Sequence, residues 1–301
     1  MKKFCLVLLL ILSLASIASI ASADAPSHIG VLTYLGTTEQ EFQQGLDDLR
    51  KAVAPLIPAG DNDFEEPDML ESFILSLVKT RRVVHFYDTL LSMQMALKSR
   101  KINEVALPEA VGIYLVNNDP GLEMLFSLNM TPSTISFGFK QGNNSLQKEF
   151  NNAISSMKRD GTLYRLADKY IVNFAADNEE VKFSNFKDAK TIKVAVTGDL
   201  PPIDYIAPDG RPTGYNTAIL AEIGKRIKKN IRLISVDAGG RSAALASDRA
   251  DVVFWYRNTS GIKSKNKKVG NALGGVMKDS LSGVILSEPY YSWDTDLIIG
   301  K

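Results

Sequence analysis

Short apolar runs alternate with amphipathic segments along the chain, and the pattern is clearest between Ile192 and Tyr256. Apolar runs in this stretch predict strands at 192–196, 231–236 and 250–255. Between the first two runs, Tyr215-Asn216 precedes a predicted helix that has Ile219, Ile223 and Ile227 on one stripe. The order strand, loop, helix, strand, helix, strand predicts parallel strands joined by crossover helices.

The preceding part of the chain shows the same alternation. Apolar runs predict further strands at 28–32, 83–87, 105–107 and 135–139. Asp88 is the predicted N-cap of a helix that extends to Lys98. A further predicted helix has Phe150 on its apolar stripe and ends at Asp160-Gly161. The segment 96–105 parallels the segment 244–253, since both read Ala-Leu-x-Ser, then a basic residue, Asn or Asp, and Val. This echo predicts two α/β halves built on one plan.

The amino-acid composition is that of an ordinary globular protein. The 301 residues are 45% hydrophobic and 23% charged, and the length corresponds to about two domains. Lys and Arg number 35 against 34 for Asp and Glu, so the net charge is close to zero. This balance argues against nucleic acid, or an anionic membrane surface, as a partner.

The first residues have the pattern of an export signal. Lys2-Lys3 is a positive segment, 4–14 is an apolar run, and 21–23 is a small-residue cleavage site. We therefore expect a signal peptide over residues 1–23 and a periplasmic or secreted mature protein; an uncleaved membrane anchor is the alternative. Cys5 is the only cysteine and lies in this segment, so the mature chain would form no disulfide and use no thiolate chemistry.

Several short motifs resemble those of one bacterial family. The stretch 192–256 contains Pro201-Pro202, Asp209-Gly210 and an Ala-Leu…Asp-Val strand. The stretch 137–171 contains Gly138, Asp160-Gly161-Thr162-Leu163 and Lys169-Tyr170. The stretch 29–109 contains a Gly-Thr-Thr loop at 36–38 and Ala-Leu-x-Ser-x-Lys at 96–101. Together they are similar to the bacterial extracytoplasmic solute-binding proteins of family 3. Those proteins are the amino-acid-binding components of ABC importers.

The resemblance implies the periplasmic-binding-protein type II fold. This fold has two lobes, and each lobe is a mixed, mostly parallel sheet flanked by helices. The implied domains are lobe two at 28–134, the crossing strand and closing helices of lobe one at 135–174, a linker at 175–190, and lobe one at 191–301. This is a circular permutation of the family's order, and part of a tandem array is the alternative. We expect one continuous crossing near 135–141 and an interrupted second crossing.

Candidate ligand-binding residues follow from where such folds bind their ligands. Ligands of two-lobed α/β proteins lie between the lobes, at the carboxyl ends of the strands. The loops expected there contain Thr37, Thr38, Glu39, Glu109, Thr197, Leu200, Trp255, Tyr256, Arg257 and Asn258. The helix that follows Thr37 and Thr38 would present free N–H groups to a carboxylate. Plain helix capping, and core packing for the aromatic residues, are the alternatives.

The chain departs from the family pattern at positions that contact ligand. Leu200 stands where the family has an aromatic residue beside Pro-Pro, and Asn216 stands in place of its Asp. The family's amine-binding Asp aligns with Pro108, which leaves Glu109 beside it. The family's carboxylate-binding Arg falls near Lys263 here, and Arg257 is an alternative donor, because a guanidinium binds a carboxylate through two hydrogen bonds. The resemblance therefore implies an amino acid, or a related small acid, as ligand.

No arrangement of residues in the sequence indicates catalysis. His28 and His85 both fall in predicted strands, where we expect packing roles. The sequence has no metal-ligand spacing of His, Cys and carboxylates, no Gly-rich phosphate loop and no Gly-x-Ser-x-Gly elbow. We expect no enzymatic activity, no cofactor and no metal, and we keep an enzyme on this fold only as an alternative.

The sequence thus predicts a binding protein. It would close two lobes on a small polar solute and pass it to an ABC permease in the membrane. A transport-inactive sensor or interaction module of the same fold is the second hypothesis, because the pocket residues are changed. We expect a monomer, with a lobe-swapped dimer as the alternative.

One site prediction can be made for Arg257. If its guanidinium anchors a ligand carboxylate, Arg257→Ala should weaken binding by about 1.5–3 kcal/mol, the range for a charged hydrogen bond. Isothermal titration calorimetry measures the loss, and thermal unfolding should change little. Normal binding by the variant would make Lys263 or Arg241 the candidate instead.

Overall fold

The computed structural model describes residues 28–32, 83–173, 180–237, 240–258 and 283–300. The predicted signal peptide lies outside these residues, as do Thr37, Thr38, Glu39 and Lys263. For residues 255–258 the structure describes the path of the backbone.

The described chain alternates between strands and helices. The helices are α1 (Leu90–Lys98), α2 (Glu109–Asn118), α3 (Asn144–Arg159), α4 (Thr162–Ala167), α5 (Gly214–Ile227) and α6 (Gly240–Ala246), and a π-helical turn follows α4 at Asp168–Val172. The strands are β1 (His28–Leu32), β2 (Val83–Tyr87), β3 (Glu104–Pro108), β4 (Glu123–Lys140), β5 (Thr191–Val196), β6 (Asp199–Leu200), β7 (Asp204–Ile206), β8 (Pro212–Thr213), β9 (Asn230–Ser235), β10 (Val252–Asn258), β11 (Val284–Leu286) and β12 (Tyr291–Gly300). None of these helices is both long enough and apolar enough to cross a bilayer.

The main sheet has two halves of similar design. Its strands are hydrogen-bonded in the order β2-β1-β3-β12-β4-β10-β5-β9, and β11 also pairs with β4. At one end β1 runs parallel to β2 and β3 on either side; at the other end β5 runs parallel to β9 and β10. The two-lobed, mixed α/β fold predicted from the sequence is confirmed. Lobe two here denotes β1–β3 with α1 and α2, and lobe one denotes β5–β10 with α3–α6.

Two strands connect the lobes. β4 pairs with β10 in lobe one and with β12 along most of the length of β12. The last residues of β12 also pair with β3 in lobe two. β12 leaves lobe one and reaches lobe two at residues 296–300, and the interruption of the second crossing stays a prediction. Residues Leu297 and Ile299 of β12 are buried there, and this apolar burial favours the continued pairing.

The first and last described strands approach each other beside β3. Glu104 is in register with Ile29 of β1 on one side and with Gly300 of β12 on the other. Neighbouring strands lie about 4.8 Å apart, so the start of β1 and the end of β12 are separated by roughly 10 Å.

Helix α3 packs its apolar stripe against the sheet of lobe one. The residues that share this face are all buried: Leu146, Phe150, Ile154 and Met157. The ring of Phe150 meets Phe137 and Phe139 of β4 edge-on, with centroids 5.4 and 5.1 Å apart. Gly161 follows the helix with φ at 74°, a conformation that glycine adopts at little steric cost. The structure therefore ends this helix at the predicted position.

The described part of the predicted linker, residues 180–190, packs on lobe one. Val181 is buried, and its N–H donates to the carbonyl oxygen of Pro212 at 3.0 Å. The N–H of Phe186 donates to Oδ1 of Asn230 at 2.8 Å. This part of the segment contains no helix or strand, yet it contacts the lobe along its length.

Two predicted helix starts were wrong, the first by one residue and the second by three. The N-cap of α1 is Thr89 and not Asp88, because the Thr89 hydroxyl accepts the N–H of Ser92 at 3.1 Å. Helix α5 begins at Gly214 and includes Tyr215 and Asn216, which the sequence placed before it. The preceding loop supplies acceptors for the first N–H groups of this helix, which allows the earlier start.

Candidate functional site

One buried carboxylate, that of Asp204, holds the loop that follows β5. Its Oδ2 accepts the N–H of Thr197 at 2.9 Å, the N–H of Gly198 at 3.2 Å and the hydroxyl of Thr197 at 3.0 Å. Its Oδ1 accepts an amide hydrogen of Asn216 at 3.1 Å. Asp204 is 1% exposed, so these hydrogen bonds offset the cost of burying the group. The loop is therefore fixed where β5 ends.

Asn216 connects this carboxylate to the residue before β12. Its Oδ1 accepts the hydroxyl of Tyr290 at 2.7 Å, while the Tyr215 hydroxyl donates to the carbonyl oxygen of Tyr290 at 3.0 Å. Burial raises the pKa of both tyrosines, that of Tyr290 most, so both remain protonated donors near neutral pH. Asn216 both donates to and accepts from its neighbours, which an ionised Asp could not do. The departure from the family's Asp thus has an internal structural role.

The lobes meet at two contacts beside this loop. Strand β6 of lobe one contacts α1 of lobe two, and the carboxyl group of Asp199 lies near the backbone N–H of Leu90 at the start of that helix. The rings of Tyr114 on α2 and Tyr205 on β7 lie with centroids 6.3 Å apart. These contacts join the loop of lobe one to the start of α1 and to the middle of α2 in lobe two. They define the crevice between the lobes.

Glu109 and Tyr291 lie close to each other at the same junction. Glu109 is the first residue of α2 and is exposed, and Tyr291 is the first residue of β12. Burial, followed by the negative charge of Glu109, raises the pKa of Tyr291 to about 12. Glu109 therefore stands at the lobe-two side of the crevice, next to a crossing strand.

The structure brings some of the predicted site residues together. Thr197 belongs to the loop fixed by Asp204, and Leu200 lies in β6 of the same loop, where it is 5% exposed. The backbone of 255–258 completes β10 and pairs with 133–136 of β4. Ligand contact by these residues and by Glu109 stays a prediction, and Thr37, Thr38 and Glu39 lie outside the described residues.

Arg241, the alternative cation, is placed inside lobe one. It is 3% exposed, and its Nη1 donates to the carbonyl oxygen of Phe254 at 3.4 Å. Its guanidinium also lies 5.8 Å from the centroid of the Phe254 ring, within the range of a cation–π contact. These contacts assign Arg241 to the packing of α6 against β10.

Sequence reasoning missed the residues at which the lobes meet. Asp199 and Tyr205 are in register across the β6–β7 pair, so both side chains stand on one face of that small sheet. Two consecutive prolines at 201–202 argue against a strand, so the hairpin formed by β6 and β7 on either side of them was not predicted. The alternation of Asp199 with Leu200, and of Asp204 with Tyr205, was the available signal.

The two histidines form a pair at the edge of lobe two. Both lie in strands, as predicted, and Nδ1 of His28 is 2.8 Å from Nε2 of His85. One nitrogen donates and the other accepts, and the rings stack with centroids 5.1 Å apart. Across the part of the chain that the structure describes, no group of three or more His, Cys, Asp or Glu side chains is arranged to bind a metal.

A second concave surface lies on the far side of lobe one, between α3 and α5. It is lined by Glu149, Asn152, Ala153, Ser156, Arg226 and Ile227. Its charged groups are already engaged, since Arg226 pairs with Asp160 at 2.8 Å and Lys229 pairs with Glu149 at 2.5 Å. The interlobe crevice is therefore the better candidate for a ligand site.

Residues 192–261 match the family model of the bacterial extracellular solute-binding proteins, family 3. The matched segment begins in β5 and includes the loop fixed by Asp204, helix α5 and strand β10. No curated protein sequence matches the chain.

Several solved structures are similar to this one. A zinc-bound ligand-binding component of an ABC-type import system from Staphylococcus aureus has 9% identity and a TM-score of 0.38, over 92% of this chain and 66% of that protein. NikA from Staphylococcus aureus with Ni(L-His)2 has 11% identity and a TM-score of 0.40, over 72% of this chain and 57% of NikA. The alkanesulfonate-binding protein SsuA from Xanthomonas axonopodis pv. citri, bound to MOPS, has 9% identity and a TM-score of 0.40, over 93% of this chain and 67% of SsuA. The chain thus spans about two thirds or less of these proteins' lengths.

Asp204→Asn should destabilise the protein by about 1–3 kcal/mol, the cost of leaving a buried donor without an acceptor. Whichever way the new amide is oriented, its nitrogen faces either Asn216 or the N–H groups at 197–198. Equilibrium urea unfolding measures the change. Asp209→Asn, on an exposed turn of the same lobe, is the matched control and should alter stability far less. Equal stability of the Asp204 variant and the wild type would contradict the assigned role.

Proposed function

We propose that this protein is an extracytoplasmic solute-binding protein that closes two lobes on a small polar solute and delivers it to an ABC importer. The observation that carries the proposal is the family match of residues 192–261. Those residues form much of lobe one, and their first loop borders the interlobe crevice. The predicted signal peptide agrees with this function, because such a protein works outside the cytoplasm.

The two-lobed architecture supports binding by closure. The two strands that connect the lobes, β4 and β12, pair with each other at the junction. A small change in their backbone angles rotates one lobe relative to the other and opens or covers the crevice. Closure removes water from the ligand and strengthens polar contacts to it. An importer can then distinguish the loaded form from the empty form by the relative position of the lobes.

We propose an amino acid or a related small acid as the ligand class. The loop at Thr197 and the exposed carboxylate of Glu109 face the crevice from opposite lobes, and either could accept an ammonium group. Arg257 and the segment 37–39 are the proposed partners of the ligand carboxylate. Arg257 lies at the end of β10, and the segment 37–39 is expected to follow β1 at the carboxyl edge of lobe two.

The structure weakens the case for a transport-inactive module. That hypothesis depended on changes from the family pattern, including Asn216. Asn216 is fully buried and hydrogen-bonded to Asp204 and Tyr290, so its side chain is part of the scaffold. A change at such a position carries no information about lost ligand binding.

We also propose that the lobes are arranged in circularly permuted order. The proposal is supported by the nearness of Ile29 and Gly300, which flank Glu104 on either side. In the family's usual order the chain would pass directly from the end of the crossing strand into lobe two. A roughly 10 Å gap between neighbouring strand ends can be closed by a few residues. Nearby chain ends of this kind are what makes permutation tolerable in compact domains.

A ligand panel tests the proposed function. Differential scanning fluorimetry against polar amino acids and small organic acids should give a raised melting temperature for at least one compound. A ligand at a hundred times its Kd stabilises the folded state by about 2.7 kcal/mol. The same panel on Arg257→Ala separates crevice binding from non-specific stabilisation. Folded protein that responds to no compound in the panel would count against the proposal.

A re-permuted chain tests the lobe order. The variant would begin at residue 177, continue to 301, pass through a short Gly-Ser linker into residue 27, and end at 176. If the permutation is correct, this monomer should unfold cooperatively and keep the wild-type far-ultraviolet circular dichroism. A matched permutant opened inside α3, for example after Phe150, should not fold. Failure of the first variant, or its assembly only as a dimer, would favour the tandem-array alternative.

A further inference from the structure

The rings of Tyr114 and Tyr205 meet across the crevice from opposite lobes. Tyr114 lies on α2 of lobe two, and Tyr205 lies on β7 of lobe one. Their ring centroids are 6.3 Å apart, and the ring planes are tilted by 57°. This separation and this tilt fall within the range of a favourable aromatic pair. Neither tyrosine is among the candidate ligand-binding residues, so the pair has no role in the site described above.

Tyr205 is held firmly by lobe one. Its strand, β7, is the central strand of the three-stranded sheet β6-β7-β8. The preceding residue, Asp204, is fixed by hydrogen bonds to the start of the loop and to α5. A Cβ atom added to Gly214, at the start of α5, would lie only 3.3 Å from the Cβ atom of Tyr205. Helix α5 therefore lies directly against the base of this side chain, and the ring moves with lobe one.

Tyr114 is held just as firmly by lobe two. Helix α2 packs closely on β12, because a Cβ atom added to Gly112 would lie 3.0 Å from the Cβ atom of Leu297. The residues of α2 that are buried by this packing include Ala110, Val111 and Leu115. Tyr114 is half-buried on the part of the helix that leaves this interface. Its ring therefore moves with lobe two.

The separation of the two rings consequently depends on the rotation of one lobe relative to the other. A rotation that opens the crevice pulls the rings apart and exposes the surface that they bury against each other, while the packing inside each lobe is kept. An aromatic pair of this kind changes an equilibrium by roughly two- to tenfold. The contact is thus strong enough to bias the position of the lobes and weak enough to break.

We propose that Tyr114 and Tyr205 form a latch that holds the lobes together before a solute enters. The latch sets the fraction of empty molecules that are already closed. For a solute that binds the closed arrangement, the apparent affinity rises with that fraction. The two tyrosines are therefore positioning residues, which act through the arrangement of the lobes and need no contact with the solute.

The inference rests on the lobe closure of the proposed function, but its test uses no solute. Spin labels attached to Lys101→Cys and Arg232→Cys, both exposed and on opposite lobes, would report the interlobe distance by double electron–electron resonance. Cys5→Ser leaves these as the only thiols. The distance distribution then gives the ratio of closed to open molecules for each variant.

Tyr114→Ala and Tyr205→Ala should each lower the ratio of closed to open molecules by roughly two- to tenfold. The double variant should lower it no further, because either change alone removes the pair. Tyr114→Phe and Tyr205→Phe keep both rings and should keep the wild-type distribution. Thermal unfolding verifies that each variant is folded, and Tyr→Leu at the same position replaces an alanine variant that is not.

Tyr164→Ala is the matched control. Tyr164 is a tyrosine of lobe one that is 76% exposed on α4. Its removal should leave the interlobe distance unchanged, since its ring is largely in solvent. A change in this control equal to that of Tyr205→Ala would show that loss of any lobe-one tyrosine alters the distance, and it would count against the latch.

Three further results would overturn the proposal. The first is a distance distribution that stays the same when either ring is removed. The second is a double variant whose effect is the product of the two single effects, which would mean that the rings act separately. The third is a pair of Phe variants that behave as the Ala variants do, which would assign the effect to the hydroxyl groups. A silent ligand panel beside a distance that responds to both rings would reject the solute-binding function and leave the latch in place.

Discussion

The buried carboxylate of Asp204 fixes the geometry on which the crevice depends. A loop that contains two consecutive prolines has few backbone hydrogen bonds of its own, and Asp204 supplies acceptors for the N–H groups at its start. Through Asn216 the same carboxylate is tied to helix α5 and to Tyr290. The loop, helix α5 and the start of the second crossing strand therefore form one rigid unit, and this unit presents Asp199 and Tyr205 to lobe two.

Because the loop on the lobe-one side of the crevice is rigid, a small movement of lobe two changes the width of the crevice. The lobes share a continuous strand order, and among the described strands β4 and β12 are the ones that pass between them. In the part of the chain that the structure describes, the crevice is bridged by the contact of Asp199 with the start of α1 and by the pair of tyrosine rings. Such contacts are weak enough to break and specific enough to define a closed state. This is the balance that a binding protein with two lobes needs.

Much of the fold could be predicted because its signals are local. The strand at 83–87 and the helix stripe through Phe150 were predicted correctly, since apolar periodicity reflects the burial of one face of an element. The candidate site was harder to predict from local sequence patterns. Asp199 has no distinctive neighbours in sequence, and it gains its partners from a hairpin across two prolines and from a helix more than a hundred residues earlier. No local pattern records pairings of that kind.

The sequence by itself determined the alternation of strands and helices, the two halves of similar plan and the resemblance of 192–256 to a solute-binding family. The tertiary structure decided what depends on contact between distant segments. It extended β12 into lobe two, placed Ile29 and Gly300 on either side of Glu104, and gave Asn216 an internal partner in place of a ligand. The physical reason is the distance along the sequence over which each feature is determined. Periodicity and capping depend on residues a few positions apart. Strand register and the hydration of a carboxyl group depend on residues that are distant in sequence and adjacent in the fold.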